Sequence, residues 1–297
     1  MNAETDPNHK AGYAAIIGKP NAGKSTLMNT LLGAKLSIIT NKPQTTRNQV
    51  VGIYSDEDSQ IIFLDTPGLI NPRYGLQESM MRAVNRARSD ADVVLHLVDG
   101  NRPTEPEQEL QYVSELNVPV LLVINKTDLA IRDRIESCKQ QYTSVMDYAE
   151  ILEVSAMQAA GTGELMDAIK KRMPLSPPYY PKDQLSEHPE RFFISEMIRE
   201  HLFIQFRQEI PYSCAINIVD YVEDTDMDHI QAEIIVDRKS QKGMLIGKGG
   251  KALKKLGTAA RREIEAFLDK KVNLQLFVKV REKWRDKPSF LRSFGYD

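Results

Sequence analysis

A glycine-rich loop directly after a short apolar run is the feature that most constrains the fold of this chain. Residues 18–25 read GKPNAGKS and match the pattern G-x-x-x-x-G-K-[ST] in full. The apolar run 13–17 predicts a buried strand before the loop, and residues 25–32 predict a helix after it. In that context the glycines let backbone N–H groups surround phosphate, and the helix N-terminus adds positive potential. The sequence therefore predicts a phosphate-binding loop at the carboxyl end of a strand.

Apolar runs and helical patterns alternate along the first part of the chain. Further strands are predicted at 61–64, 93–98, 120–124 and 151–154, with helical patterns at 77–88, 106–116, 132–146 and 163–173. This alternation predicts an α/β domain with a mostly parallel sheet and helices on both faces. Five of the fifteen prolines then fall within 174–189, which indicates a stiff, extended linker. We expect a first domain over 8–175, the linker over 176–190 and a second domain over 191–297.

Two motifs at later strand ends predict that the bound nucleotide carries guanine. The tetrapeptide NKTD at 125–128 directly follows the strand 120–124. The Asp128 carboxylate can accept hydrogen bonds from the ring N–H and the exocyclic amine of guanine, whereas adenine would leave it unpaired, a penalty of about 1–3 kcal/mol. Ser155 and Ala156 follow the last strand and are expected to offer a backbone donor to the guanine oxygen. We therefore expect a GTP site.

A magnesium ion and the γ-phosphate are expected beside the first loop. Lys24 should reach the β- and γ-phosphates, and the Ser25 hydroxyl should bind Mg²⁺. Asp65 opens the motif DTPG after the strand 61–64 and should hold the ion through water, while the Gly68 N–H should sense the γ-phosphate. In the polar loop TTR at 45–47, the second threonine, Thr46, is favoured over the first as a further ligand. The predicted catalytic residues are Lys24, Thr46 and Gly68, and the predicted Mg²⁺ ligands are Ser25, Thr46 and Asp65.

The complete predicted nucleotide site lies within these motifs. It consists of Gly18, Lys19, Pro20, Asn21, Ala22, Gly23, Lys24, Ser25, Thr26, Asp65, Thr66, Pro67, Gly68, Leu69, Asn125, Lys126, Thr127, Asp128, Ser155 and Ala156.

A second glycine-rich loop lies in a basic stretch of the second domain. Residues 246–250 read IGKGG, and nine Lys/Arg with no acid occur from 238 to 262. A loop without Cβ atoms lets a sugar-phosphate chain lie against its backbone, as the GXXG loop of KH domains does with about four nucleotides of single-stranded RNA. The letters also fit the dinucleotide pattern G-x-G-x-x-A, but the βαβ unit and the ribose-binding acid that this pattern needs do not follow. The predicted RNA-binding residues are Ile246, Gly247, Lys248, Gly249, Gly250, Lys251 and Lys254.

The elements around this loop have the order of a type II KH domain. A helix is predicted at 192–207, strands at 215–219 and 231–236, the loop with its helix next, and a last strand at 272–280. The predicted fold class is thus an α/β P-loop GTPase domain followed by an α+β type II KH domain. Trp284, the only tryptophan, is expected to anchor the C-terminal helix rather than to stack on a base.

The motifs GKPNAGKS, DTPG, NKTD and SA, in that order, resemble the TRAFAC-class GTPases. With the glycine-loop domain behind the linker, nearly all of the chain resembles the Era family of bacterial GTPases. The resemblance implies Mg²⁺-dependent hydrolysis of GTP to GDP and phosphate. It also implies binding near the 3′ end of 16S rRNA, a role in assembly of the small (30S) ribosomal subunit, and weak peripheral association with the cytoplasmic face of the inner membrane.

Hydrolysis is expected to be slow without help. Many regulatory GTPases carry a water-orienting glutamine directly after the DxxG motif, and this chain has Leu69 there. In related GTPases an asparagine at the position of Asn21 accompanies a bound potassium ion, so K⁺ is a hypothesised second cofactor that would stabilise transition-state charge. Arg47 and Arg73 are expected on solvated loops rather than as arginine fingers.

Composition limits the compartment and leaves two other functions open. The N-terminal ten residues are polar, so we expect no secretory signal. The two cysteines lie far apart, so we expect no disulfide framework and no zinc site. We expect the protein in a reducing cytoplasm. We expect no obligate oligomer. One alternative is a signalling GTPase whose basic second domain binds an acidic protein, and another is an ATP-using enzyme.

Overall fold

The computed structural model describes residues 7–103 and 105–296. Most of the polar N-terminal stretch and the last residue of the predicted second domain, Asp297, lie outside this part. The chain divides into two compact units. The first comprises Met1–Ser37, Thr46–Asn71 and Met80–Glu187, and the second comprises Ile38–Thr45, Pro72–Ser79 and His188–Asp297. In the described ranges no helix is both long and apolar enough to cross a membrane.

Six strands form the sheet of the first unit. They are β1 (Lys10–Ile17), β2 (Val50–Ser55), β3 (Ser59–Asp65), β4 (Val93–Asp99), β5 (Val120–Asn125) and β6 (Glu150–Glu153). The strand order is β2-β3-β1-β4-β5-β6, and only the β2–β3 pair is antiparallel. Strand β2 is not among the predicted strands. The mostly parallel sheet is confirmed, and its parallel strands all bring their carboxyl ends to the same side.

Helices cover both faces of this sheet. They are α1 (Lys24–Leu32), α2 (Gly75–Asp90), the short α3 (Glu107–Leu110), α4 (Arg132–Thr143) and α5 (Thr162–Arg172). Ala15 and Ile17 of β1 share a buried cluster with Met81 and Val84 of α2, whereas α1 lies against β1, β2 and β3 and contacts α5. The alternation of side chains along each strand explains why one strand can serve both layers.

The proline-rich segment is fixed to the first unit by backbone hydrogen bonds. The carbonyl of Leu185 accepts from the Ile53 N–H at 2.8 Å, so the segment forms a backbone hydrogen bond with strand β2. The buried Gln60 side chain accepts from the backbone N–H groups of Tyr179 and Tyr180 at 2.7 and 2.9 Å and donates to the Tyr180 carbonyl. This segment is therefore part of the packed first unit up to Glu187 rather than a free spacer.

The second unit packs helices on a three-stranded sheet. Its helices are α6 (Glu190–Gln205), α7 (Lys239–Ile246), α8 (Lys251–Leu268) and α9 (Pro288–Ser293), and its strands are β7 (Ala215–Val222), β8 (Met227–Val236) and β9 (Lys271–Val280). Strand β8 is central, antiparallel to β7 and parallel to β9. The apolar residues 244–246, directly before the glycine loop, form the last turn of α7.

The C-terminal residues close the second unit. Trp284 is fully buried, and its Nε1 donates to the Ser213 carbonyl at 2.9 Å. The expected anchoring role is thus confirmed. The same tail holds the start of α2, because the Gly75 N–H donates to Asp286 Oδ1 at 3.1 Å and the Arg285 guanidinium lies over the Tyr74 ring.

Candidate nucleotide site and RNA interface

The first glycine loop joins β1 to α1 as the sequence predicts. Gly23 has a φ of 102° and precedes the first helical residue, Lys24. A Cβ on Gly23 would lie 2.3 Å from Asn125 Nδ2, so only glycine fits this position. Asn125 Nδ2 donates to the Ala22 carbonyl at 2.8 Å, and its Oδ1 accepts from the Ala156 N–H at 3.0 Å. One buried asparagine thereby ties the phosphate loop to both base-recognition motifs.

The loop lysine lies inside the cradle that the loop forms. Lys24 Nζ donates to the carbonyls of Gly18 and Lys19, both at 3.0 Å. Burial lowers the pKa of Lys24 from 10.5 to about 8, against the opposing attraction of Asp65 and Glu109. A buried cation whose hydrogen bonds go to backbone carbonyls is suited to receive the charge of a nucleotide phosphate.

Oxygen atoms from three separate segments meet beside Lys24. Ser25 Oγ donates to Asp65 Oδ2 at 2.7 Å and lies 2.9 Å from Thr46 Oγ1. Ser37 Oγ also donates to Asp65 Oδ2, at 2.9 Å. Ser37 is not among the predicted site residues. The Thr45 hydroxyl instead bonds to Thr40 Oγ1 and the Lys42 carbonyl.

One oxygen of the buried Asp65 carboxylate is available to accept a further contact. Asp65 is fully buried, and its Oδ1 has no hydrogen-bond partner among the described residues. Burial raises the pKa of Asp65, and the nearby Lys24 ammonium acts in the opposite direction. An orphaned carboxylate oxygen beside two hydroxyls is the donor set that a small hard cation such as Mg²⁺ prefers.

The DTPG segment rests on the phosphate loop. The Leu69 N–H donates to the Gly18 carbonyl at 3.1 Å, and a Cβ on Gly68 would lie 2.7 Å from Pro20. Thr66 Oγ1 donates to the Ile16 carbonyl at 2.7 Å. Leu69 packs in the buried cluster beneath α2 and offers no polar group. The DTPG backbone thus contacts the phosphate loop, and the side chain after the motif carries no group that could orient water.

The NKTD residues form the opposite wall of the first-unit site. Lys126 Nζ donates to the Asn21 carbonyl at 2.6 Å and pairs with Asp99 Oδ2 at 2.7 Å. Asp128 Oδ1 accepts from Ser155 Oγ at 2.7 Å, so the carboxylate predicted to recognise the base lies beside the SA motif. Asp99 is not among the predicted site residues, and its position at the end of β4 is the only sequence feature that points to a role in the site.

Several other predicted residues have supporting positions. Lys19 pairs with the buried Glu109 at 3.6 Å, a partner that the sequence analysis does not name. The Thr127 N–H donates to the Val154 carbonyl at 3.3 Å, and Thr26 lies in the first turn of α1. Arg73 is exposed as expected, but Arg47 is only 3% exposed, so its prediction on a solvated loop is wrong.

The second glycine loop joins α7 to α8 and uses three left-handed residues. Gly247, Gly249 and Gly250 have φ values of 69°, 59° and 75°. A Cβ on Gly247 would lie 2.7 Å from the Cβ of Ala252, so the turn requires glycine there. The backbone at the start of α8 is therefore free of Cβ atoms over most of the loop.

Basic side chains surround this turn. Lys248, Lys251 and Lys254 are exposed, and Ile246 is half-buried. Met244 is 52% exposed, but Leu245 is fully buried and cannot line a groove for bases. The difference arises because α7, a helix, turns Leu245 into the core.

The two folds and their sites define a P-loop GTPase domain joined to a KH domain. Residues 13–126 match the family "50S ribosome-binding GTPase", and residues 209–285 match the family "KH domain". The chain is 46% identical to "GTPase ERA-like, chloroplastic" of Arabidopsis thaliana, over 97% of this chain and 69% of the relative. It is 45% identical to the protein of the same name from Oryza sativa subsp. japonica, over 97% of this chain and 70% of that relative.

Two solved Era structures match the fold over nearly its whole length. Era of Aquifex aeolicus bound to GDP and AlF4⁻ has a TM-score of 0.92 and 39% identity, over 97% of this chain and 99% of that chain. A structure of Era with MgGDPNP and nucleotides 1506–1542 of 16S ribosomal RNA has a TM-score of 0.91 and 38% identity, with the same coverage. The chain belongs to the Era family of GTPases, which hydrolyse GTP.

Proposed function

We propose that this GTPase acts in assembly of the small ribosomal subunit by binding the 3′ region of 16S rRNA through its KH domain. The observation that carries the proposal is the loop 247–250, whose glycines leave backbone exposed beside lysines at the start of α8. The related Era chain that holds 16S nucleotides 1506–1542 supports the choice of RNA. The domain boundaries 8–175, 176–190 and 191–297 remain part of the proposal.

The proposed nucleotide site uses Mg²⁺ held by this chain's own oxygen atoms. Ser25 and Thr46 would bind the ion directly and Asp65 through water, which would satisfy the unpartnered Asp65 Oδ1. Bound Mg²⁺ would neutralise charge on the β- and γ-phosphates. Lys24 would add a second positive charge from the loop, and the Gly68 N–H would donate to the γ-phosphate.

Guanine selectivity is proposed to rest on Asp128. Its second carboxylate oxygen remains to accept from the base while Oδ1 is held by Ser155. The Ala156 N–H is used by Asn125, which fixes the SA segment at the base site. An adenine ring would leave the acid unpaired, and this penalty disfavours the alternative of an ATP-using enzyme.

The chemistry of water activation is proposed to rely on backbone and cations, because Leu69 is apolar and packed. A potassium ion near Asn21 is the proposed additional charge. Asn21 has a φ of 65°, and its carbonyl faces Lys126. Turnover measured at matched ionic strength should be faster in KCl than in NaCl, and equal rates would remove K⁺ from the mechanism.

RNA binding is tested by changing the charge of the loop. The double variant Lys248→Asp/Gly249→Asp places acids in the middle of the loop, where aspartate tolerates the left-handed backbone of Gly249. Ser240→Asp/Lys242→Asp makes the same charge change at exposed positions of α7 and is the matched control. In filter binding with an RNA of 16S nucleotides 1506–1542, the loop variant should lose binding and the control should retain it. Equal affinities of the two variants would reject the loop as the RNA contact, and no binding by the wild type would reject the RNA role and favour a protein partner.

The cellular location is also a proposal. The resemblance implies a cytoplasmic protein with peripheral association with the inner membrane, whereas the plant relatives are named chloroplastic. Fractionation of cells of the source organism decides the compartment. Sedimentation with vesicles of inner-membrane lipids tests the peripheral association.

A further inference from the structure

A short segment before Thr46 is held by helix α6 within the second unit. The segment is 38–45, and it includes the residue directly before the proposed Mg²⁺ ligand. The Ile39 N–H donates to Glu200 Oε1 at 3.0 Å. Lys42 Nζ donates to the carbonyls of Phe203 and Phe206 at the end of α6. The segment is thus attached along more than one turn of the helix.

Arg199 makes the deepest of these attachments. Its guanidinium is 1% exposed and donates through Nη1 to the Thr45 carbonyl. Glu196 fixes the other side of the guanidinium, since Arg199 Nε donates to Glu196 Oε1 at 2.8 Å and Nη2 donates to Oε2. A charge-assisted hydrogen bond in such a buried setting is among the stronger single contacts in a protein. Thr45 cannot shift without either moving α6 or leaving the buried Nη1 of Arg199 without this acceptor.

A different side of α6 contacts the helix that follows the RNA loop. Gln205 Nε2 donates to the carbonyl of Ala252, in the first turn of α8, at 2.8 Å. His201 Nε2 lies 2.7 Å from Glu263 Oε2, farther along α8. At about 100° per residue, His201 and Gln205 lie about 160° and about 120° around the helix axis from Arg199. Helix α6 therefore lies between the segment 38–45 and α8.

We propose that α6 carries the nucleotide state to the RNA loop, with Arg199 as the positioning residue at one end and Gln205 as the contact at the other. The proposal rests on the proposed function, because it needs GTP at the first loop and RNA at the second. When Thr46 moves toward or away from the ion, the Thr45 carbonyl moves with it. A rigid helix passes that displacement from Arg199 to Gln205, about 9 Å along its axis. Gln205 then shifts the first turn of α8, where the loop 247–250 ends.

This arrangement works in both directions. Because coupling between two binding sites is reciprocal, RNA seated on the loop must favour one position of Thr46 as strongly as the nucleotide favours one position of the loop. RNA would thus change the rate of GTP hydrolysis without contacting the nucleotide. The proline-rich segment, which is fixed to the first unit, is not needed for this transfer.

The test compares four proteins. They are the wild type, Arg199→Lys, Gln205→Met and the control Arg191→Lys, which alters an arginine at the other end of α6 that lies over Tyr221. Lysine retains the charge beside Glu196 but lacks the planar fork that reaches Glu196 and Thr45 together. The measurement is the Kd for an RNA of 16S nucleotides 1506–1542, with the protein loaded with GDP or with a non-hydrolysable GTP analogue. Stimulation of GTP hydrolysis by the same RNA is measured in parallel.

The informative quantity is the ratio of the two Kd values. Allosteric ratios are typically about 5- to 150-fold. We expect wild type and Arg191→Lys to show a ratio in this range, and Arg199→Lys and Gln205→Met to bring the ratio to within about twofold of one. Gln205→Met should leave RNA-free hydrolysis unchanged while it removes the stimulation by RNA. The double variant should lose no more coupling than either single variant, since both break one path.

The outcomes separate this inference from the function on which it rests. No RNA binding by wild type would overturn both. Binding by wild type with ratios preserved in Arg199→Lys and Gln205→Met would overturn only the role of α6. A purely structural effect would lower the melting temperature and weaken both Kd values equally, which leaves the ratio intact and also rejects the proposal.

Discussion

Lys24 should make the stability of the nucleotide-free protein rise with pH. Burial lowers the pKa of this side chain from 10.5 to about 8 in the folded protein. Between these values the unfolded chain holds a proton that the folded chain has released. The free energy of unfolding therefore increases with pH across this interval, and the destabilisation by the buried ammonium is complete below about pH 8. Replacing Lys24 with a residue that does not titrate should remove this dependence.

The size of the effect follows from the shift. The difference between 10.5 and about 8 corresponds to about 3 kcal/mol of destabilisation at neutral pH. The part recovered between pH 7 and pH 9 is about 1.3 kcal/mol, because most of the recovery occurs above pH 8. The hydrogen bonds from Nζ to the Gly18 and Lys19 carbonyls are lost in any variant. Their loss shifts the variant's stability by the same amount at both pH values.

Urea unfolding of wild type, Lys24→Met and Lys24→Arg at pH 7 and pH 9, followed by circular dichroism, measures the effect. Titrating groups that Lys24 does not influence are common to the three proteins and cancel in the comparison. Wild type should gain about 1.3 kcal/mol relative to both variants, since arginine stays charged throughout this range. If the wild-type and Lys24→Met curves stay parallel from pH 7 to pH 9, the buried-lysine reasoning is refuted.

Three further substitutions test separate parts of the structure. Asp128→Asn should weaken GTP binding at least about tenfold and favour xanthine nucleotides, as measured by competition, and unchanged selectivity would contradict the base-recognition role. Gly23→Ala introduces a Cβ against Asn125 at a φ of 102°, so GDP affinity by calorimetry should fall by at least about tenfold. Trp284→Phe leaves the Ser213 carbonyl unpaired and should cost about 1–3 kcal/mol in urea unfolding, whereas a smaller loss would mean that water replaces the indole.

The predictable part of the molecule is the part whose chemistry is local in sequence. The loop 18–25 and the tetrapeptide 125–128 each combine a buried strand with residues that few other functions require together. The strand before each motif could therefore be predicted from the sequence. Strand β2 was missed because Gly52 interrupts a short β-branched run, although that run pairs with β3 across a three-residue turn.

The unpredicted part depends on contacts distant in sequence. Ser37 donates to Asp65 from 28 positions away, and Asp99 pairs with Lys126 from 27 positions away. Neither residue belongs to a recognisable motif. The placement of 38–45 on α6 brings together residues more than 150 positions apart, as in the contact between Arg199 and Thr45. Periodicity and spacing carry no information on such pairs, because packing alone selects them.

The segment 175–187 has a consequence for how the first unit avoids self-association. Strand β2 ends the sheet, and an uncovered outermost strand offers its N–H and C=O groups to strands of other molecules. Leu185 already occupies the Ile53 N–H. The covering segment contains Pro177, Pro178 and Pro181, which lack the N–H donors needed to recruit a further strand. A protein truncated near residue 175 would therefore expose the edge of β2 to pairing with strands of other molecules. A protein truncated after residue 187 would keep this edge covered.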